Sequence, residues 1–331
     1  MRIASFNLEN LTDARQAEIP LAARLEALRP QLQRLRADIL CLQEVDAPRS
    51  ANDARELSAL AQLVEGTPYQ DFHLANTTVA GSEHPADRHN LVILSRWPFG
   101  TIAQYANTLV QAPQFTSATS IPPASEPDAL AWDRPILHAT INVKPDASAP
   151  VKSLHIINLH LKAPLPSPVP GQKIGPFAWR SVPGWAEGYF RAAIRRSGQA
   201  LEARILIDRI FDQDEHALIV LTGDFNAGEH EPPLRIVTGS PEDTGNGRLA
   251  PRSLALLEHS VPDSQRFTII HRGRKQMLDH MLVSRTLLGY YRKIEIHNEM
   301  LGDELVAYTL IDSAPDSYHA PVVAEFDFPD G

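Results

Sequence analysis

The stretch "IVLTGDFNAG", residues 219–228, decides how the chain is read. Ile219, Val220 and Leu221 form an unbroken apolar run, the pattern of a strand buried on both faces. The run ends on Gly223, Asp224, Phe225 and Asn226, which sets a carboxylate and a carboxamide two residues apart. In extended chain, residues two apart project to the same side. Asp224 and Asn226 are therefore expected to face one cleft, with Phe225 turned back into the protein and Gly223 permitting a close backbone approach.

The same motif of an apolar run closing on a reactive group recurs along the chain. "RIASFN" (2–7) ends at Asn7, "DILCLQE" (38–44) at Glu44, and "HIINLH" (155–160) at His160, with Lys162 two residues on. "QMLDH" (276–280) carries Asp279 and His280, and "SYHAP" (317–321) places His319 before the last apolar run. Taken singly, each has an ordinary explanation: a turn asparagine, a solvated strand end, a structural histidine. Taken together, they point to one cleft, because ligands of α/β sheets bind beyond the carboxyl ends of strands. The donors are carboxylate and carboxamide oxygens, which suit Mg²⁺ or Mn²⁺ rather than zinc. Mg²⁺ takes one or two carboxylates and leaves its other positions to water and substrate phosphate, so the set points to phosphoryl chemistry.

Helical patterns alternate with these strands. Leu21, Leu25, Leu28, Leu32 and Leu35 make one helix face, with a break expected at Pro30. Asp53 and Glu56 are placed as a capping pair before the leucine stripe of 57–63. "NLVILS" (90–95), "ILHATINV" (136–143) and "SLHIINLHL" (153–161) are strands. A long helix is expected over 187–211, burying Phe190, Ile194, Leu201, Ile205 and Ile210. Residues 266–283 read as a hairpin turning at Gly273, and "APVVAEF" (320–326) as the last strand. Such interleaving predicts an α/β sandwich.

The 331 residues carry a formal charge of −9, not the balance of a protein built to coat nucleic acid. The one cysteine, Cys41, lies in an apolar run and reads as a core residue. No uninterrupted apolar stretch is long enough for a membrane span, and no leader is visible before the first strand, so the expected address is cytoplasmic. No obligate protein partner is evident. Three stretches, 111–130, 163–186 and 240–252, read as loops rich in Pro, Ser or polar residues.

"ASFNLEN", "DILCLQEV", "NLHLK", "LTGDFNA", "LDHMLVS" and "SYHAPV" together resemble, in order and spacing, the endonuclease/exonuclease/phosphatase superfamily. The likeness runs from residue 2 to about 326, which implies a single domain over 1–331. It also implies the DNase I-like four-layer α/β sandwich, two packed mixed β-sheets flanked by helices. By the resemblance, Glu44 binds the metal with Asn7 beside it, Asp224 orients or deprotonates the attacking water, and Asn226 positions water and phosphate. His319 binds or protonates phosphate oxygen, Asp279 holds its tautomer, and His160 is a second phosphate contact. The implied activity is Mg²⁺-dependent phosphodiester hydrolysis (Mn²⁺ the other candidate ion) in nucleic acid or nucleotides. The alternatives are a non-nucleic phosphoester such as a lipid headgroup or sugar phosphate, and a degenerate binding protein.

One motif departs from the pattern: Tyr318 stands where the family carries Asp, which argues against a second metal, and Asp316 is the nearest replacement. Lys162, Arg272 and Arg274 are further candidates for holding phosphate. The 163–186 loop, with Lys173, Trp179, Arg180 and Trp185, reads either as a lid over the cleft or as an ordered surface loop stiffened by proline.

Overall fold

The computed structural model describes residues 1–14, 16–49, 55–132, 134–144, 151–304 and 314–328. Along the chain run β1 (Arg2–Leu11), α1 (Leu21–Leu35), β2 (Ile39–Val45), α2 (Ser58–Val64), β3 (His73–Asn76), β4 (Asn90–Ser95) and β5 (Phe99–Tyr105). Next come β6 (Gln114–Phe115), β7 (Asp128–Ala129), β8 (Ile136–Val143), β9 (Lys152–His160), α3 (Val182–Gln213), β10 (Leu218–Asp224), α4 (Pro232–Thr238) and α5 (Pro241–Thr244). The chain closes with β11 (Leu254–Leu256), β12 (Ile269–His271), β13 (Arg274–Gln276), β14 (Asp279–Ser284), α6 (Arg285–Leu288), β15 (Tyr291–Ile296) and β16 (Val322–Phe326).

Two six-stranded sheets form, in the orders β15-β16-β1-β2-β4-β3 and β11-β14-β10-β9-β8-β5. Each is mixed: β1–β2 and β9–β10 are parallel, and the flanking pairs are antiparallel. Alternation along the central strands explains the unbroken apolar runs. Ile3, Ile39, Cys41, Ile156, Leu218 and Val220 meet between the sheets. Their neighbours Ala4, Leu40 and Leu42 pack outward on α1 and α2, while Ile157, Ile219 and Leu221 pack on α3 and α4. Three apolar layers thus separate four structural ones, the α/β/β/α sandwich implied by the motifs.

Three helices differ from expectation. α1 runs through Pro30 without a break. Pro30 is exposed, so its ring costs about 3 kcal/mol of helix propensity without disturbing the packed face. Leu28, Leu32 and Leu35 straddle it fully buried, and at ~1.5–3 kcal/mol each their burial outweighs that cost. α3 begins at Val182, not 187, capped by Ser181, whose hydroxyl accepts from the Gly184 N–H at 3.1 Å. The final residues of the expected 163–186 loop are therefore helical. Its buried face is also rotated: Phe190 and Leu201 are exposed, while Ala200, Ala203, Leu206, Ile207 and Ile210 are buried. Polar residues of α3, Glu187 and Glu202 among them, take buried positions under the long loops and shift the apolar phase. α2 starts at Ser58 with Leu57 at its cap, so Glu56 does not cap it, and Asp53 lies outside the described residues. The hairpin of β12 and β13 turns at Gly273 as expected, with φ +71°.

On the outer side of the second sheet, His138 of β8 and His155 of β9 stack at 5.2 Å, with Nε2 and Nδ1 3.0 Å apart. Burial, then the neighbouring ring, lowers His138 to about 4 from 6.5, and burial lowers His155 as well. A histidine depressed in the folded state stabilises fully above its unfolded pKa and loses that contribution as pH falls. Stability should therefore decline between pH 6.5 and 4, by on the order of 2–3 kcal/mol from His138. Denaturant midpoints across that range should fall less steeply for His138→Gln than for wild type.

Candidate active site

The site residues come together along one edge of both sheets. β10 approaches β9 so closely at Gly223 (φ +135°) that a Cβ there would lie 1.9 Å from the Leu159 carbonyl oxygen. Only glycine fits, and the close pairing sets Asp224 opposite His160. Phe225 is fully buried in the α3–α4 layer, as its alternation predicts. Asn226 reaches the cleft by a different route from that expected. The chain does not stay extended but turns, with Asn226 at φ +48° and its N–H donating to Asp224 Oδ1 at 2.8 Å. That side-chain-closed turn brings Asn226 Nδ2 to 3.2 Å from Asp224 Oδ2 and 3.1 Å from the Leu161 carbonyl.

Glu44 sits where the pairing of β2 with β4 shifts register, and it adopts φ +60°. A bulge of this kind re-aims a side chain. Glu44 Oε2 accepts the Asn10 N–H at 3.0 Å, and Oε1 lies 3.6 Å from His160 Nε2. Asn7 bridges the two sheets: its Nδ2 donates to Asp224 Oδ2 at 3.0 Å and approaches Glu44 Oε1 at 3.5 Å. Its oxygen is taken by the Glu9 N–H at 2.9 Å, so Asn7 acts here as a donor between carboxylates. Asp279, opposite Asp224 in the β10–β14 register, holds His319 Nδ1 at 2.8 Å. Asp279 Oδ1 is buried without a hydrogen-bond partner among the described residues.

The electrostatics follow from packing these charges together. Burial, then Asp279 and Glu44, pushes Asp224 up to about 7, with His319 and the Asn226 N–H opposing. Burial opposes protonation of His319, but Asp279, Asp224 and Glu9 outweigh it and raise its pKa well above the ordinary histidine value. His160 is driven the other way, by burial and then by Arg134, His89, His319 and Lys162, and is a neutral imidazole. Arg134 Nη1 lies 2.5 Å from His160 Nε2. The site thus pairs a charged with a neutral histidine across a group of carboxylates. Asp224, Asp279 and His319 offer ligand atoms within 4.8 Å of one another, a cluster able to hold a cation.

The structure brings Asn7, Glu44, His160, Asp224, Asn226, Asp279 and His319 together, with Lys162 close enough to affect His160. Arg272 and Arg274 lie exposed at the tip of the β12–β13 hairpin, and among the described residues neither bonds to the cluster. Tyr318 donates its backbone N–H to Glu9 Oε2 at 2.8 Å, while its hydroxyl accepts from Ala314 N. The carboxylate acting on His319 from this side is Glu9, which sequence reading did not single out. Asp316 uses its carbonyl to hold Arg24. His89 and Arg134 were also missed. The motifs "DRHN" and "DRP" preceding β4 and β8 were the available signal.

The chain belongs to the Endonuclease/Exonuclease/phosphatase family. That family's model matches residues 4–296. The hydrolysis of phosphoric esters is the chemistry that membership assigns. Solved structures share the fold at low identity. Mannosyl-6-phosphatase of Bacteroides thetaiotaomicron VPI-5482 is 15% identical over 99% of this chain and 100% of its own, with a TM-score of 0.56. TDP2 of Caenorhabditis elegans is 13% identical over 99% and 74%, with a TM-score of 0.54. The 3′ phosphatase NExo (D146N) of Neisseria, bound to a product DNA hairpin, is 17% identical over 99% and 100%, with a TM-score of 0.51. No curated protein sequence matches the chain significantly. Among the described residues, no helix is long and apolar enough to cross a membrane.

Replacing Asp279 by Asn removes the largest influence raising His319. The imidazole titration of His319, followed by NMR, should move down toward the ordinary histidine range, and an unmoved titration would show that Asp279 does not control it.

Proposed function

We propose that the cleft hydrolyses phosphodiesters with the help of a divalent cation, Mg²⁺ or Mn²⁺. The observation that carries this reading is the buried juxtaposition of Asp224, raised to about 7, with an Asp279-held, protonated His319. Two candidate cation sites present themselves. The Asp224–Asp279–His319 cluster is geometrically tighter, but a protonated imidazole cannot ligate a metal. Glu44 is the better ligand: its oxygens face Asn7, His160 and the Asn10 N–H rather than a fixed cation. Glu44 and Asp224 both bring carboxylate oxygens to Asn7 Nδ2 and His160 Nε2, and a positive charge between them would relieve the repulsion that raises Asp224. When bound, the ion supplies charge neutralisation on the phosphoryl oxygens.

The chain's own groups supply the rest. Asp224 takes a proton from the attacking water, and a pKa near the working pH suits that role. Asn7 and Asn226 hold its carboxylate in place through the bonds given above. His319 offers positive charge and a proton on the opposite side, its ring fixed by Asp279. Neutral His160, braced by Arg134, presents a second contact to phosphate, and Lys162 adds charge nearby. Arg272 and Arg274 remain candidate phosphate contacts for a substrate long enough to reach the hairpin. The same reading takes residues 1–331 as one domain, supported by an inner core that joins Ile3 to Val322 and Phe326.

For substrate, nucleic acid or nucleotides is the first reading. One observation favours the second, a non-nucleic phosphoester. The groove of about 400 Å³ beside Glu44 is lined by Glu9, Glu18, Asp46 and Asp87 against Arg24 and Arg88. Such a lining repels a polyanion and suits a neutral or cationic group.

Hydrolysis of supercoiled plasmid and of bis(p-nitrophenyl) phosphate should be compared with and without Mg²⁺. Activity should disappear on chelation and fall by about 10²–10⁴-fold in Asp224→Asn. Cleavage of the small diester alone would favour the non-nucleic substrate, and cleavage unaffected by chelation or by the substitution would overturn the reading.

A further inference from the structure

β14 turns Asp279 toward the cleft and, one residue later, His280 toward the layer between sheet and helices. His280 is 1% exposed and meets Phe225 edge to face, with ring centroids 5.4 Å apart. Its Nε2 donates to the Ala227 carbonyl at 2.9 Å. Its Nδ1 pairs with Glu258 Oε1, from the turn Leu257–Ser260 that follows β11. A carbonyl only accepts, so Nε2 must carry a hydrogen, and Glu258 on the other nitrogen fixes the ring in that state.

Ala227 closes the turn that begins at Asp224. Beyond Asp224 the strand ends, and Asn226 at φ +48° leads the chain away from the sheet. On the β9 side the turn is held by Asn226 Nδ2, which donates to the Leu161 carbonyl at 3.1 Å. On the β14 side it is held twice. The Phe225 N–H donates to the Leu278 carbonyl at 2.8 Å, and His280 donates to the Ala227 carbonyl. Leu278, Asp279 and His280 are consecutive, and the middle residue holds His319. One short piece of chain therefore registers Asp224 and Asn226 against Asp279 and His319.

Stability does not call for this pair. Glu258 is 2% exposed, and its Oε2 has no partner among the described residues. A buried ion pair can be exchanged for apolar side chains at little cost to stability, and the adjoining positions Leu257 and Leu282 are already buried and apolar. What leucine could not supply is a donor for the carbonyl of Ala227, a fully buried residue.

We propose that His280, held by Glu258, is a positioning residue of the site: it anchors the turn that aims Asp224 and Asn226 at the phosphoryl group. The role rests on the hydrolytic reading of the cleft. It is exerted through the bond to Ala227, without contact to substrate. A displacement of ~1 Å at a reacting group costs about 10²-fold in rate.

The test compares E258L/H280L, which removes the donor, with E258Q/H280Q, which puts an amide N–H in place of the ring nitrogen. For each, hydrolysis of bis(p-nitrophenyl) phosphate with Mg²⁺, urea unfolding and NMR exchange of the Phe225 and Asn226 N–H groups are measured. The leucine pair should keep the unfolding midpoint of wild type and lose about 10–10²-fold in kcat, with KM within about threefold. Its two amides should exchange at least about tenfold faster. The glutamine pair should stay within about threefold of wild type in kcat and exchange. A leucine pair with wild-type kcat and exchange would overturn the proposal, as would one that loses stability alone. So would a glutamine pair as impaired as the leucine pair, because the role would then belong to the ring or its charge. If the leucine pair does not fold, the glutamine pair decides: near-normal kcat and exchange uphold the bond to Ala227, and impairment overturns it. If wild type hydrolyses neither plasmid nor the small diester, the hydrolytic reading falls, and the exchange of the two amides decides the anchoring by itself.

Discussion

The site depends on how the two sheets are fixed to each other, and deep in the layer between them a buried amide sets that register. Asn158 of β9 donates across the inter-sheet layer to the carbonyls of Leu42 and Val92, each at 3.0 Å, and accepts from Gln43 Nε2 at 2.8 Å. Leu42 and Val92 are the last paired residues before the register shift that frees Glu44. Apolar packing between sheets is non-directional and tolerates sliding. Hydrogen bonds inside a low-dielectric layer do not, because each broken one strands a buried polar group. Glu44 belongs to one sheet and His160 to the other, so their 3.6 Å separation follows from a contact placed two residues before His160.

Backbone conformation at this edge repeats one device. Glu9, Asn10, His89 and Asn226 all have positive φ, which costs a non-glycine residue roughly 1 kcal/mol or more. In each case the N–H is captured by a side-chain oxygen: Asn7 Oδ1, Glu44 Oε2, Asp46 Oδ1 and Asp224 Oδ1 respectively. The turns are therefore held by polar side chains of the site's own strands, and those side chains are oriented by the turns. Loss of one such carboxylate would alter both the charge of the cleft and the path of its backbone.

The sequence made the centre of this arrangement legible and hid its rim, for a reason rooted in sheet direction. Asn7, Glu44, His160 and Asp224 close strands that run toward the cleft, where a search for polar strand endings finds them. The antiparallel partners β4, β8, β14 and β16 begin at that same edge, so their contributions precede the strand. Asp279 and His319 were caught because they adjoin apolar runs in "QMLDH" and "SYHAP", and the resemblance then gave them roles. His89 and Arg134, equally placed, look like ordinary loop residues in "DRHN" and "DRP". Glu9 was hidden differently: its proximity to His319 arises from the Tyr318 N–H, a backbone contact that no side-chain pattern announces. The α3 boundary failed because proline and serine, read as loop residues, are also a helix cap and its first turn in Ser181-Val182-Pro183.

Buried carboxylates divide the molecule into scaffold and chemistry. Glu202, fully buried on α3, accepts the N–H groups of Asn107, Thr108 and Leu109 and the indole of Trp132. Glu187, further toward the start of the same helix, does likewise for Ser117, Ala118 and Thr119. Each charge is met by several donors, and together they clamp the 105–132 segment onto that helix. Asp224 and Asp279 are buried as deeply but face each other and Glu44 with fewer donors to share, and repulsion shows as the rise of Asp224 to about 7. A fold selected for stability alone would not leave carboxylates so poorly compensated when it compensates others so fully elsewhere. On the reading proposed above, that deficit is where a cation, and the proton exchanged with water, would enter the site.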